Sequence, residues 1–164
     1  MKPLKLTFLL PAVLISILMT SCFNETTVYH QYHHVSTKGW KQSDTLSFAI
    51  ADSIAGHRYA LEIGIRHTEM YPYQNIWIVL LHHTDSIAAD TFQLELASPQ
   101  GEWKGKGNAS KLYQYIQTTG EINLTPTDTL LQLIHIMKDS CLNGITDAGI
   151  RLSLTGGINT QENK

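Results

Sequence analysis

Eight histidines are the residues of this chain whose type first suggests metal chemistry. His30, His33 and His34 lie in a polar N-terminal stretch, while His82 and His83 end an apolar run. A zinc site needs three or four ligands that converge at about 2.0–2.3 Å. Adjacent residues of a regular strand point to opposite faces, so His82 and His83 cannot bind one ion together. We therefore predict solvated histidines and no metal site.

Nucleophilic catalysis is not indicated either. The chain contains neither Gly-x-Ser-x-Gly nor His-Glu-x-x-His, the patterns of two large hydrolase classes. Glu62, Glu95 and Glu102 fall at presumed outward positions, where a solvated carboxylate is the default. We predict no catalytic residue, no cofactor and no enzymatic activity.

Aromatic residues offer the main alternative function, a platform on which sugar rings stack. The candidates are Trp40, Tyr71, Tyr73, Trp77, Trp103, Tyr113 and Tyr115. Aromatic side chains also suit the half-buried surfaces of a β-sheet, where they pack in the core. A glycan- or small-ligand-binding module therefore stays open as an alternative.

The elements that must position these side chains have the pattern of β-strands. Residues 58–66 alternate, with Tyr59, Leu61, Ile63 and Ile65 on one face, as in a half-buried antiparallel strand. Residues 76–81 form an apolar run that suits a central strand, and His135 sits as a half-buried ring on another apolar strand. Further strands are predicted at residues 45–50, 91–97, 112–117, 129–137 and 148–154. The fold class is all-β, an antiparallel β-sandwich with jelly-roll-like crossovers.

Composition agrees with a single folded domain. The 164 residues are 43% hydrophobic and 16% charged, with a formal net charge of -2. This apolar content excludes a disordered chain. The lack of a basic excess excludes a general nucleic-acid binder.

The N-terminus carries a targeting pattern. Lys2 and Lys5 precede an apolar stretch from Leu6 to Met19, which at ~1.5 Å per residue is too short for a ~30 Å hydrocarbon core. Residues 19–22, Met-Thr-Ser-Cys, resemble a bacterial lipobox, so we predict cleavage before Cys22 and its acylation. The predicted organisation is a signal peptide (1–21), a lipidated tether (22–40) with a short strand near 28–32, a β-sandwich domain (41–155) and a flexible tail (156–164).

Only two cysteines are present, Cys22 and Cys141. With Cys22 acylated no disulfide can form, and Cys141 is left as a lone thiol. A small hydrophobe under a loop is the usual role of such a residue.

Three segments together resemble the GldH family, the gliding-motility lipoproteins of Bacteroidetes: residues 71–77, residues 90–107 and residues 143–151. The resemblance implies an outer-membrane lipoprotein that works in gliding and the associated secretion machinery through other envelope proteins, without a cofactor. Residues 23–27 lack the acidic run that resembles a surface-export signal in this phylum. We therefore favour the periplasmic face of the outer membrane.

Within these segments some residues have folding roles. Asn143-Gly144 suits a turn with positive φ, and Gly105 and Gly107 are expected to bend the chain between strands. The residues without an obvious folding role are Tyr71, Tyr73, Glu102, Trp103 and Lys104. We predict that they form a partner surface, because Trp and Tyr are enriched at interface hot spots. The alternative is that Trp103 packs over a loop against the sheet.

Overall fold

The computed structural model describes residues 27–83 and 87–155. The predicted signal peptide, Cys22 and the tail after residue 155 lie outside the described residues. Eleven strands lie within them: β1 (Thr27–His34), β2 (Trp40–Lys41), β3 (Leu46–Ala49), β4 (Arg58–Thr68), β5 (Asn75–His83), β6 (Ile87–Glu95), β7 (Lys106–Gly107), β8 (Leu112–Asn123), β9 (Leu130–His135), β10 (Cys141–Leu142) and β11 (Ile145–Leu154).

The strands form two main antiparallel sheets and one small one. A five-stranded sheet has the order β1-β11-β4-β8-β7, a four-stranded sheet has the order β3-β9-β5-β6, and β10 pairs with β2. Only β5 with β6 and β7 with β8 are sequence neighbours that also pair. The other paired strands are distant in sequence, so the chain crosses between the two sheets to connect them. All of these pairings are antiparallel, which confirms the predicted all-β antiparallel fold.

One hydrophobic core lies between the two main sheets, and it arises from period-two patterns. Leu61, Ile63 and Ile65 of β4 are at most 2% exposed and belong to the same buried cluster as Ile78 of β5 and Leu133 of β9. Each of these strands places alternate side chains on the inner face. The alternation predicted for residues 58–66 is thus the pattern that builds the core.

The sandwich begins earlier than the predicted boundary at residue 41. Residues 27–34, which we assigned to a tether, form β1 and pair with β11 over nearly their whole length, from Thr27 opposite Ser153 to His34 opposite Asp147. The short strand predicted near 28–32 is therefore longer and is an edge strand of the five-stranded sheet. The N-terminal histidines consequently have fixed positions in a sheet.

The sandwich has two ends, which we name from Thr27. The proximal end contains Thr27 and the loops at residues 50–57 and 124–129, which are joined by backbone hydrogen bonds from Leu124 to His57 and from Ile50 to Thr129. The distal end contains the loops at residues 35–45, 69–74, 96–111 and 136–144. β4 runs from the proximal to the distal end over 11 residues, which at ~3.3 Å per residue separates the two ends by roughly 33 Å.

Candidate functional site

The five residues of the predicted partner surface all lie at the distal end, but they differ in exposure. Tyr71 is only 2% exposed, and its hydroxyl donates a hydrogen bond to the backbone oxygen of Asn75 at 2.8 Å. Burial raises the pKa of Tyr71 far above its ordinary value. Tyr71 is therefore a core residue, which removes it from the predicted surface.

Tyr73 and Lys104 are held by acidic neighbours at the surface. The Tyr73 hydroxyl donates to Asp139 Oδ2 at 2.6 Å, and this bond raises the pKa of Tyr73. Lys104 Nζ lies 2.6 Å from Glu95 Oε2, an ion pair that lowers the pKa of Glu95 and raises that of Lys104. Glu102 is exposed. These contacts are solvent-accessible, so each adds little to stability while fixing the position of a polar group.

Trp103 packs into an aromatic cluster around a buried histidine. The centroid of one of its rings lies 4.4 Å from that of His67, and Tyr113 stacks on the same imidazole at 5.5 Å. His67 is fully buried, and burial lowers its pKa. Trp103 also packs against the hydrophobic core. The packing role of Trp103 is thus present in the structure, where its ring fastens the 96–111 loop to the end of β4.

An exposed apolar surface lies on the outer face of the four-stranded sheet. Trp77 of β5 is 40% exposed and Ile136 is 43% exposed, while Val79 and Leu81 share the face and are half-buried. The sequence indicated a central strand at residues 76–81, which is confirmed. It did not indicate that alternate members of this run, beginning with Trp77, face outward.

The seven aromatic candidates do not assemble into a sugar-stacking platform. Trp40 and Tyr71 are buried in the core, whereas Trp103 and Tyr113 are committed to the cluster around His67. Of the seven, only Trp77 is a large exposed side chain.

Within the described residues, no group of three or more His, Cys, Asp or Glu side chains is arranged to hold a metal ion. His82 Nε2 lies 3.1 Å from Asp90 Oδ2. His135, predicted to be half-buried, is fully buried, and its Nε2 lies 3.1 Å from the backbone oxygen of Trp40. Burial lowers the pKa of His135.

Cys141 is half-buried, and its thiol donates to the backbone oxygen of Lys38 at 3.3 Å. This contact places it beneath the 35–39 loop, in agreement with the small-hydrophobe prediction. Cys22 is outside the described residues.

The outer face of the five-stranded sheet carries an ordered polar array that the sequence did not suggest. The ring of Tyr32 lies over Gly64 and Gly149, which face each other across β4 and β11. The Arg66 guanidinium lies 4.1 Å from the centroid of that ring. Next to it Arg151 forms a bidentate ion pair with Glu62.

The glycines of the distal loops have different roles from one another. Gly144 has φ +86°, as the Asn143-Gly144 turn predicts. Gly105 and Gly107 lack positive φ and serve instead for close approach, because a Cβ on Gly105 would lie 2.7 Å from the backbone oxygen of Gln114. Their predicted role as bends is therefore replaced by close packing of the 104–107 segment against β8.

Comparison with known proteins identifies a family whose model covers nearly the whole sandwich. The family model described as GldH lipoprotein matches residues 27–152, from the start of β1 nearly to the end of β11. The chain belongs to the GldH lipoprotein family.

Named relatives agree with this assignment. The gliding motility lipoprotein GldH of Flavobacterium johnsoniae is 26% identical over 148 residues, which cover 85% of this chain and 92% of the relative. The GldH homolog of Christiangramia forsetii is 25% identical over 146 residues, which cover 83% and 88%. A solved structure of tomato aspermy virus aligns with 96% of this chain and 98% of its own, at 9% identity and a TM-score of 0.33, which is too low to carry an argument.

The resemblance seen in the sequence is thus confirmed at the level of a gliding motility lipoprotein of the cell envelope. Within the described residues, this GldH family member has no helix long and apolar enough to cross a membrane.

Proposed function

We propose that this GldH family member is an outer-membrane lipoprotein, anchored through Cys22 and facing the periplasm. It acts as a structural or assembly component of the gliding machinery and the associated secretion machinery, through protein partners and without an enzymatic activity. Family membership supports the motility assignment. The short segment between Cys22 and β1 supports an orientation in which the distal end faces protein partners.

The distance from the anchor to the domain is short. Thr27, the first residue of β1, lies five positions after Cys22, and even a fully extended chain of that length spans no more than about 18 Å. A lipid on Cys22 therefore keeps the proximal end next to the membrane. With β4 upright on the membrane, as we propose, the distal end lies roughly 33 Å further out, by the strand rise of β4.

This orientation presents the distal loops to other envelope proteins. Tyr73, Glu102, Trp103 and Lys104 form the proposed partner surface, without Tyr71. Loops that a rigid sandwich holds in place are common binding positions. The half-exposed aromatics supply contact area and the flanking charges supply orientation.

Acylation of Cys22 is tested by replacing it. Cys22→Ala should abolish labelling with a palmitate analogue and remove the protein from the detergent-phase lipoprotein fraction, because the variant lacks the residue that carries the acyl chains on which stable anchoring depends. Continued labelling of the variant would show that the lipid is on another residue and would refute the proposed orientation.

Partner contact is tested by photo-crosslinking of the lipidated full chain in its own envelope. A crosslinking amino acid at position 102, at the distal end, should capture one or more envelope proteins. The matched position is 121, since Glu121 is also exposed but lies on β8 near the proximal end. Protein crosslinks from position 121 with none from position 102 would refute the proposed surface.

A further inference from the structure

A groove of about 650 Å³ lies on the outer face of the five-stranded sheet. Arg66 and Arg151 line it from β4 and β11, while Lys104 and Lys106 line it from the segment that contains β7. The only carboxylate of its lining is Glu62. The lining side chains therefore carry a formal charge of +3. Two carboxylates border them, Glu95 at 2.6 Å from Lys104 Nζ and Asp147 at 4.0 Å from Arg66 Nη1, and reduce the local charge to +1, whereas the whole chain has a formal net charge of -2.

Hydrogen bonds within the protein occupy the side-chain acceptors of this groove. Both carboxylate oxygens of Glu62 accept from Arg151, with Arg151 Nη2 at 2.7 Å from Oε1. Gln114 Oε1 accepts from Arg66 Nε at 3.0 Å. Asn108 Oδ1 accepts from two backbone amides of its own turn, at 2.9 and 3.1 Å. Apart from the Tyr115 hydroxyl, the other polar side-chain groups of the lining are donors, namely the amide NH₂ groups and the four cations. Of these cations, Arg151 is paired with Glu62 and Lys104 with Glu95.

Arg66 and the backbone of the segment that carries the two lysines are held in position before any ligand arrives. The guanidinium of Arg66 lies over the Tyr32 ring, and that ring rests on Gly64 and Gly149. Gly105 allows the segment that carries the two lysines to lie directly against the backbone of β8. A site whose groups are already ordered loses less conformational entropy on binding.

We propose that this groove binds an acidic saccharide, whose carboxylate or phosphate groups accept from Arg66 and Lys106. Its volume falls within the range of small-ligand pockets, roughly 300–1,000 Å³. Sugar hydroxyls accept as well as donate, so they suit a lining of donors. A peptide also brings backbone N–H groups that only donate, and these find few acceptors in a lining of donors. This site uses residues other than the aromatic platform considered from the sequence.

The test measures binding to the lipidated full chain in detergent by calorimetry. Trigalacturonate is the carboxylated probe, mannose 6-phosphate is the phosphorylated probe, and maltotriose is the neutral probe. We expect at least one acidic probe to bind, with an affinity that falls as salt rises, and maltotriose not to bind. Comparing the two acidic probes identifies the anionic group that the groove prefers.

Variants locate the site. Lys106→Glu reverses a charge on an exposed two-residue strand and should weaken binding of the acidic probe at least tenfold, as should Arg66→Gln. Lys41→Glu is the matched control, since Lys41 is exposed on β2 outside the groove. Thermal melting of each variant verifies that it folds. If Arg66→Gln disturbs the contact with Tyr32, the result for Lys106→Glu still decides the test.

Several results would overturn the proposal: binding of neither acidic probe, equal binding of maltotriose, equal losses in Lys106→Glu and Lys41→Glu, or tighter binding of tetraglutamate than of both acidic probes. The crosslinking experiment at position 102 stays independent of these outcomes. Neither Lys106 nor Arg66 belongs to the proposed partner surface.

Discussion

Gly64→Ala is the substitution whose effect the packing of the five-stranded sheet defines most sharply. A Cβ at position 64 would lie 2.0 Å from the hydroxyl oxygen of Tyr32 and 2.7 Å from Cζ of the same ring. The ring cannot shift toward β11, because it already contacts the backbone at Gly149. It must tilt off the sheet, which moves it away from the Arg66 guanidinium at 4.1 Å.

The expected cost follows from three contributions. Forcing one methyl group into a packed site costs about 1–3 kcal/mol, and loss of a cation–π contact at a partly exposed site adds about 0.5–1 kcal/mol. Removing a glycine from a strand offsets about 0.5–1 kcal/mol. The net loss in the free energy of unfolding is about 2 kcal/mol, which corresponds to a drop in Tm of about 4–8 °C for a domain of this size.

Urea unfolding of the wild type, Gly64→Ala, Tyr32→Ala and the double variant measures this cost as a cycle. With Tyr32 replaced by alanine the clash is absent, so Gly64→Ala should become neutral or slightly stabilising. The coupling between the two positions should be about 2–3 kcal/mol, within the range found for residues in contact. An equal cost of Gly64→Ala in both backgrounds would show that the ring does not cover the glycine.

Three further predictions concern turns, pH and metals. Gly144→Ala should lower Tm by more than Gly101→Ala. Both positions have positive φ, but only at Gly144 would a Cβ meet the backbone, at 2.3 Å from the nitrogen of Tyr71. Equal losses of Tm in thermal melts would contradict this prediction. Burial lowers the pKa of His67 and His135 below the ordinary 6.5, so the unfolded chain binds protons first as pH falls and stability should decrease below about pH 6.5. His67→Phe should reduce that pH dependence in urea titrations at pH 7 and pH 5, and an unchanged slope would exclude His67 as a source. Protein dialysed under mild conditions should contain well under one metal ion per chain by elemental analysis, and one tightly held zinc per chain would refute the prediction of no metal site.

The sequence predicted those strands that bury one face in the core. β4 alternates because its inner residues pack against the opposite sheet, and period two reports this directly. β1 escaped full prediction because its residues Thr-Val-Tyr-His-Gln-Tyr-His-His are polar on both faces. Its extended form depends on pairing with β11, a contact that local pattern does not contain. The short strands β2, β7 and β10 were missed for the same reason.

The candidate site residues likewise depend on tertiary contacts that the local sequence pattern does not contain. Tyr71 and Tyr73 flank one proline, and only tertiary packing makes the first a core residue and the second half-exposed. Glu62 and Arg151 are 89 positions apart, and the register of β4 with β11 brings them together. Their outward positions on two predicted strands were a usable signal, but it required knowledge of which strands pair.

The strand order β1-β11-β4 also has a consequence for how the protein matures. The last strand of the sheet is inserted between the first strand and the fourth, with Thr27 opposite Ser153. In a chain that is exported N-terminus first, β1 emerges early but has no partner until the final residues of the domain have crossed the membrane. Pairings between such distant segments form slowly, so the unpaired edges of β1 and β4 stay open to aggregation and to envelope proteases throughout export. A nascent chain truncated before β11 would keep both edges exposed, so we expect it to be degraded faster than the full chain.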